Sequence, residues 1–138
     1  MQSLENTMLI TDLDGTLLPA SKEISVADAA AISQFRAKGG KFAIATGRTL
    51  QAAQRYLKKL QPNIPVILFN GAAIYDPVAE KWLYTEELPP EAAAITQQVL
   101  EAFPDVSAEI LRTDGTYVSR MTPYEKEHLE ICQVEPIL

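Results

Sequence analysis

Met8-Leu9-Ile10-Thr11-Asp12-Leu13-Asp14-Gly15-Thr16 is the stretch on which the reading of this chain turns. A short, mostly apolar run stops abruptly at a polar turn, the pattern of a buried strand bounded by a turn signal. Asp12 and Asp14, two residues apart at a strand end, can point both carboxyl groups toward one site. There they could bind a divalent cation or divide nucleophile and acid/base roles. Gly15 permits a sharp turn that brings backbone N–H groups toward an anion, and the Thr16 hydroxyl can satisfy that turn. Taken alone, Asp-x-Asp is also what an ordinary turn or cap looks like, so the neighbouring elements must decide.

Working outward, Ser25 is placed to cap a helix with Asp28 in the capping-box position. Ala29, Ile32 and Phe35 fall on one face, and Gly39-Gly40 stops the helix. Lys41–Ala45 reads as a second strand, ending in Thr46-Gly47-Arg48. A helix from about Thr49 to Leu60 follows, with Leu50, Ala53, Leu57 and Leu60 at helical spacing and Pro62 barring its continuation. Pro65–Phe69 is a third strand, ending at Asn70-Gly71. This strand–helix–strand–helix–strand alternation implies a parallel sheet covered by helices.

Each of the three strands therefore ends in a polar, glycine-containing turn, and in open parallel sheets ligands bind outside the carboxyl ends of the strands. Thr46, Gly47 and Arg48 offer a hydroxyl, a backbone donor and a guanidinium, which suit phosphate; Thr46 or Thr49 could equally be a helix cap. Asn70 and Gly71 could form a turn or a substrate contact.

The remainder changes character. Ala73–Tyr75 and Trp82–Tyr84, around Asp76-Pro77, read as a hairpin whose aromatic residues pack on one another. Past Pro89-Pro90, the residues Ala92, Ile95, Val99 and Ala102 define an amphipathic helix. Val106, Ala108 and Ile110 alternate as in a strand, Asp114-Gly115 signals a hairpin turn, and Thr116–Val118 is the returning strand. A last helix begins near Thr122-Pro123. This pattern does not extend the parallel sheet and marks a second module, its boundary between about residues 72 and 90.

Composition sets the outer bounds. At 138 residues the chain is within the size of one domain, and 47% hydrophobic residues can build a core. Its 12 basic and 18 acidic residues give a net charge of −6, which argues against a nucleic-acid partner. No apolar run is long enough for a membrane span. The single cysteine, Cys132, and the single histidine, His128, are read as structural. One free thiol fits a reducing, cytoplasmic setting.

Asp12-Leu13-Asp14-Gly15-Thr16 resembles the first motif of the haloacid dehalogenase superfamily, and Ala45-Thr46-Gly47-Arg48 resembles its second. Phe69-Asn70-Gly71-Ala72 resembles a segment of the Cof-type subgroup, whose α/β cap is inserted after the third core strand. The resemblance implies a Rossmann-like three-layer α/β sandwich with a parallel sheet, and a Mg²⁺-dependent phosphatase acting on small phosphate monoesters, such as sugar phosphates or similar metabolites. Asp12 would be the nucleophile that forms an aspartyl-phosphate. Asp14 would protonate the leaving alcohol and then deprotonate the attacking water. The Asp12 carboxylate and the Asp14 backbone carbonyl would hold Mg²⁺. Thr46 and the Gly47 N–H would hold phosphoryl oxygens, Arg48 would face the cap, and Asn70 and Gly71 would line the substrate site.

Two later family motifs, a lysine and a Gly-Asp-x-x-x-Asp-like acidic segment, have no counterpart. The sequence has no Gly-Asp dipeptide, and its lysines, Lys81 and Lys126 among them, follow no later parallel strand. The expectation is an N-terminal portion: residues 1–80 as an incomplete core and residues 81–138 as the start of the cap. Met8–Asp12 would then be an exposed strand edge, open to self-association. The alternative function is a non-catalytic, phosphate- or partner-binding fragment that associates through that edge. A receiver domain fits poorly, since Asn70 stands where its acceptor Asp is required. A dinucleotide-binding enzyme lacks its Gly-x-Gly-x-x-Gly after the first strand.

Overall fold

The computed structural model describes residues 3–138. Contacts divide the chain into two compact units, one of the chain up to Arg48 with Ala53–Glu86, the other of Thr49–Ala52 with Glu87–Leu138.

In the first unit β1 (Met8–Thr11) pairs in parallel with β2 (Lys41–Ile44), Met8 opposite Lys41 and Thr11 opposite Ile44. Helix α1 (Val26–Ala37) makes the crossover between them, as the alternation predicts. Ser25 caps it as expected, its hydroxyl oxygen accepting from the Asp28 N–H at 3.0 Å. Helix α2 (Leu50–Leu60) leads to β3 (Val66–Leu68), which joins the parallel set through a bridge between Ala45 and Ile67. Asn63 ties the start of β2 by accepting from the Phe42 N–H at 2.7 Å and donating to the Gly40 carbonyl at 3.0 Å. Phe42, Ile44, Ala53, Val66 and Leu68 are fully buried and form the core with Leu13, Leu18 and Leu60. The chain is thus an α/β fold built on a parallel sheet.

One expectation is met and another needs correction. The run Met8–Ile10 by itself reads as a buried strand, but the exposed edge expected at Met8–Asp12 is present, with Met8, Leu9 and Ile10 57%, 41% and 47% exposed. The reason is that β1 pairs with β2 alone among the described residues and its other edge is bare. The predicted hairpin is also part of a larger meander. β4 (Ala73–Asp76) pairs antiparallel with β3 as well as with β5 (Lys81–Thr85), with an irregularity between Ile74 and Tyr75. Tyr75 and Phe69 pack on Trp82 with ring centroids 5.0 and 6.1 Å away, as expected of hairpin packing.

In the second unit α3 (Glu91–Ala102) precedes a three-stranded sheet in the order β6 (Glu109–Arg112), β7 (Gly115–Val118), β8 (Pro136–Ile137). Thr122 caps α4 (Pro123–Cys132), which has proline in its first turn as the sequence predicts. Val106 and Ala108 fall outside the strand assigned to them. The Ser119 hydroxyl takes the Ala108 N–H at 2.9 Å, in place of a ladder carbonyl, so regular pairing starts at Glu109. Gly115 pairs with Arg112 rather than sitting in the turn. β8 runs parallel to β7 and has no counterpart among the predicted elements. No helix among the described residues is long and apolar enough to cross a membrane.

Candidate active site at the carboxyl ends of β1, β2 and β3

Leu13 organises the first turn. Its side chain is fully buried, which directs Asp12 and Asp14 away from the core on either side of it. A bridge between Asp14 and Leu18 closes the turn through the Leu18 N–H to the Leu13 carbonyl (2.7 Å) and the Gly15 N–H to the Leu18 carbonyl (3.3 Å). Gly15 adopts φ +77°, a backbone region that favours glycine. The Asp14 carbonyl lies outside that bridge. Asp12 is exposed, and its Oδ1 accepts the Leu13 N–H at 2.7 Å.

The second turn is stitched to the third. The Thr46 carbonyl accepts from the Asn70 N–H at 3.2 Å, and the Arg48 carbonyl from the Phe69 N–H at 3.1 Å. Gly47 packs closely on Asn70: a Cβ there would lie 2.6 Å from Asn70 Oδ1, so the Asn70 side chain would have to shift. Asn70 and Gly71 both have positive φ, 55° and 99°, and they reverse the chain from β3 into β4. Thr46 is buried, and its Oγ1 accepts the Arg48 N–H at 3.2 Å, leaving the hydroxyl hydrogen to donate. Thr49, not Thr46, caps α2 by accepting the Ala52 N–H at 3.1 Å.

Arg48 joins the first turn to the second. Its Nε donates to Asp14 Oδ2 at 2.7 Å and its Nη2 to Asp14 Oδ1 at 3.0 Å, a two-pronged ion pair. The family resemblance implies that Arg48 faces the cap; here its guanidinium lies on Asp14, with the Tyr56 ring centroid 5.2 Å away. Lys22 Nζ donates to the same Oδ1 at 2.7 Å. Arg48 first, and then Lys22, hold the Asp14 carboxyl down to about 2 against the opposing effect of burial. Asp14 is therefore a carboxylate at neutral pH in this arrangement.

Lys22 and Tyr56 are the residues sequence reasoning missed. Lys22 stands in the irregular stretch Pro19–Ile24, where no periodicity singles it out, and Tyr56 reads simply as part of a helix face. The available signal was a cation between the acidic turn and the Ser25 cap.

Among the described residues no group of three or more His, Cys, Asp or Glu side chains could hold a metal ion. The oxygen donors at the β1 turn still fit Mg²⁺, a hard cation that keeps several waters and is often held by one or two carboxylates together with substrate phosphate.

The family described as haloacid dehalogenase-like hydrolase matches residues 9–135. A relative from Bacillus subtilis (strain 168), 5-amino-6-(5-phospho-D-ribitylamino)uracil phosphatase YitU, is 30% identical over 125 residues, which are 88% of this chain and 44% of the relative. A haloacid dehalogenase-like hydrolase from Bacteroides thetaiotaomicron superposes with a TM-score of 0.84 at 18% identity, over 95% of this chain and 50% of that one. The subclass IIB sugar phosphatase BT4131 superposes with a TM-score of 0.79 at 24% identity, over 95% and 52%. The two structures establish a shared fold, and the chain spans about half or less of each of these proteins. The match from Leu9 to Glu135 covers the three turns described above, and the chain belongs to the haloacid dehalogenase-like hydrolase family.

Proposed function

We propose that the protein is the catalytic-core portion, with the beginning of a cap, of a Mg²⁺-dependent phosphatase for small phosphate monoesters. The observation that carries this reading is the convergence of Asp12, Asp14, Thr46, Gly47 and Arg48 from two separate strand ends, tied to a third by Asn70. In this reading residues 1–80 belong to the core and 81–138 begin the cap, and the single thiol fits a cytoplasmic setting.

The exposed Asp12 carboxylate attacks phosphorus, and the bond from phosphorus to the ester oxygen breaks. The leaving oxygen takes its proton from Asp14. Water then gives a proton to Asp14 and attacks the aspartyl-phosphate, restoring the Asp12 carboxylate and releasing inorganic phosphate. Thr46 Oγ1–H and the Gly47 N–H donate to phosphoryl oxygens. Asn70 and Gly71 line the substrate side. The Asp12 carboxylate and the Asp14 carbonyl would hold Mg²⁺, whose charge would offset the repulsion between carboxylate and phosphate. Asp14 as held by two cations suits the second half-reaction, where it must accept a proton. A dianionic ester beside Asp14 adds negative charge, which raises the proton affinity of Asp14 for the first half-reaction.

The relative's name, a phosphatase for a phosphoribityl compound, supports a phosphorylated metabolite as substrate. The test is to quench a reaction with ³²P-labelled acetyl phosphate in acid. We expect a hydroxylamine-labile label on the peptide containing Asp12, and a label elsewhere or none at all would refute the covalent route.

The exposed edge of β1 favours a second reading, a non-catalytic phosphate- or partner-binding fragment that self-associates. Size-exclusion chromatography over a range of concentrations separates the two: a stable dimer without turnover favours the second, and a monomer with turnover the first.

A further inference from the structure

We propose that Lys22 is a positioning residue for Asp14, locking its carboxyl group in the orientation that proton transfer to the leaving group requires. The inference rests on the phosphatase reading and extends it to a side chain outside the motifs.

Several observations distinguish Lys22 from a solvated surface lysine. Its ammonium lies 2.7 Å from Asp14 Oδ1, the oxygen also held by Arg48 Nη2. Its backbone has φ +57°, a conformation unfavourable for non-glycine residues that the surroundings must stabilise. Those surroundings are visible. The Lys22 N–H donates to the Pro19 carbonyl at 2.9 Å. Its own carbonyl accepts from the Tyr56 hydroxyl at 3.0 Å, and Tyr56 is 3% exposed. Two residues on, the Ile24 carbonyl accepts from Lys59 Nζ at 3.0 Å. Buried Leu18 and Ile24 anchor both ends of the segment. Helix α2 thus straps a strained turn in place, and the outcome of that strain is an ammonium on Asp14. With Arg48 across both oxygens and Lys22 on one, three donors hold the carboxyl group. Removing Lys22 leaves it a single, planar tether.

The test compares wild type, Lys22→Met, Lys22→Arg and Tyr56→Phe on two esters. One is an alkyl phosphate, whose alkoxide leaves only when protonated. The other is 4-nitrophenyl phosphate, whose phenolate leaves without a proton. Lys22→Met and Tyr56→Phe are expected to lower kcat for the alkyl ester about tenfold. KM and the rate of aspartyl-phosphate formation from the aryl ester, read as the initial burst of 4-nitrophenolate, should stay within about twofold, and Lys22→Arg should restore most of the loss on the alkyl ester. Equal losses on both esters, or a rise in KM alone, would overturn the inference while leaving the phosphatase reading intact. Hydrogen exchange across residues 15–24 reads the contact without turnover: Lys22→Met and Asp14→Asn should each speed exchange, and the double variant no further. Additive effects would overturn the inference. Coupled exchange in a protein that hydrolyses neither ester would refute the phosphatase reading and leave the pair structural.

Discussion

Asp14 is the residue at which local chemistry and electrostatics meet. Its partners lower its pKa to about 2 from a model-compound value of 3.8. Between those values the native protein binds fewer protons than the unfolded chain. The resulting stabilisation is present above 3.8 and is lost as pH falls through about 2. Asp14 is partly exposed, so solvent screens the effect and it is small in energy. The position of the titration is the sharper observable. Arg48→Met removes the largest cause, so the Asp14 carboxyl carbon, followed by NMR, should titrate closer to the ordinary range than in wild type. An unchanged midpoint would mean that Arg48 does not govern this group. The sequence made Asp12, Asp14, Thr46, Gly47 and Arg48 legible because each follows a strand at a glycine-containing turn. It could not orient Arg48, because a long side chain finds its partner only once the turns are brought together. Lys22 stayed hidden for a related reason: a lysine in an irregular loop has no periodicity to betray its direction.

The elements carry their own chemistry, away from the motifs. On the inner face of α4, Glu125 is buried, and both its Oε1 and Glu109 Oε1 of β6 lack a hydrogen-bond partner. His128 Nε2 lies 3.5 Å from Glu109 Oε1 and 3.6 Å from Cys132 Sγ. Burial, with the Glu125 carboxyl beside it, raises the Glu109 pKa above 4.5, against the lowering effect of His128. Here the native state holds more protons than the unfolded chain, so stability falls as pH rises from 4.5 through the raised value. Glu125→Gln removes a like charge and supplies a donor to the Glu109 carboxylate. Urea unfolding between about pH 4 and pH 7 should then show a flatter decline for the variant than for wild type. Identical slopes would contradict the assignment. Element boundaries followed the same logic of legibility. Ser25 and Thr122 announced α1 and α4 because caps are local chemistry. The Ala108–Ser119 contact and the two-residue β8 are tertiary events, and no local signal marks them.

For the molecule as a whole, the alternation of apolar strands and amphipathic helices revealed a parallel α/β fold, because both faces of each strand must be covered. The meander through β3, β4 and β5 was only half visible, since a hairpin pattern names its own two strands and not the third that joins it. The exposed edge of β1 could not be read from the strand itself, because Met8–Ile10 are as apolar as a covered strand; it was legible only because the later family motifs have no counterpart in the sequence. The proposed phosphatase site at the three turns depends on Asp12 as its nucleophile. The most direct measurement is hydrolysis of 4-nitrophenyl phosphate by wild type and Asp12→Asn, with Mg²⁺ and with chelator. Turnover should require Mg²⁺ and fall about 10³-fold or more in the variant. Turnover that persists in Asp12→Asn, or wild-type activity no greater than that of the variant, would contradict it.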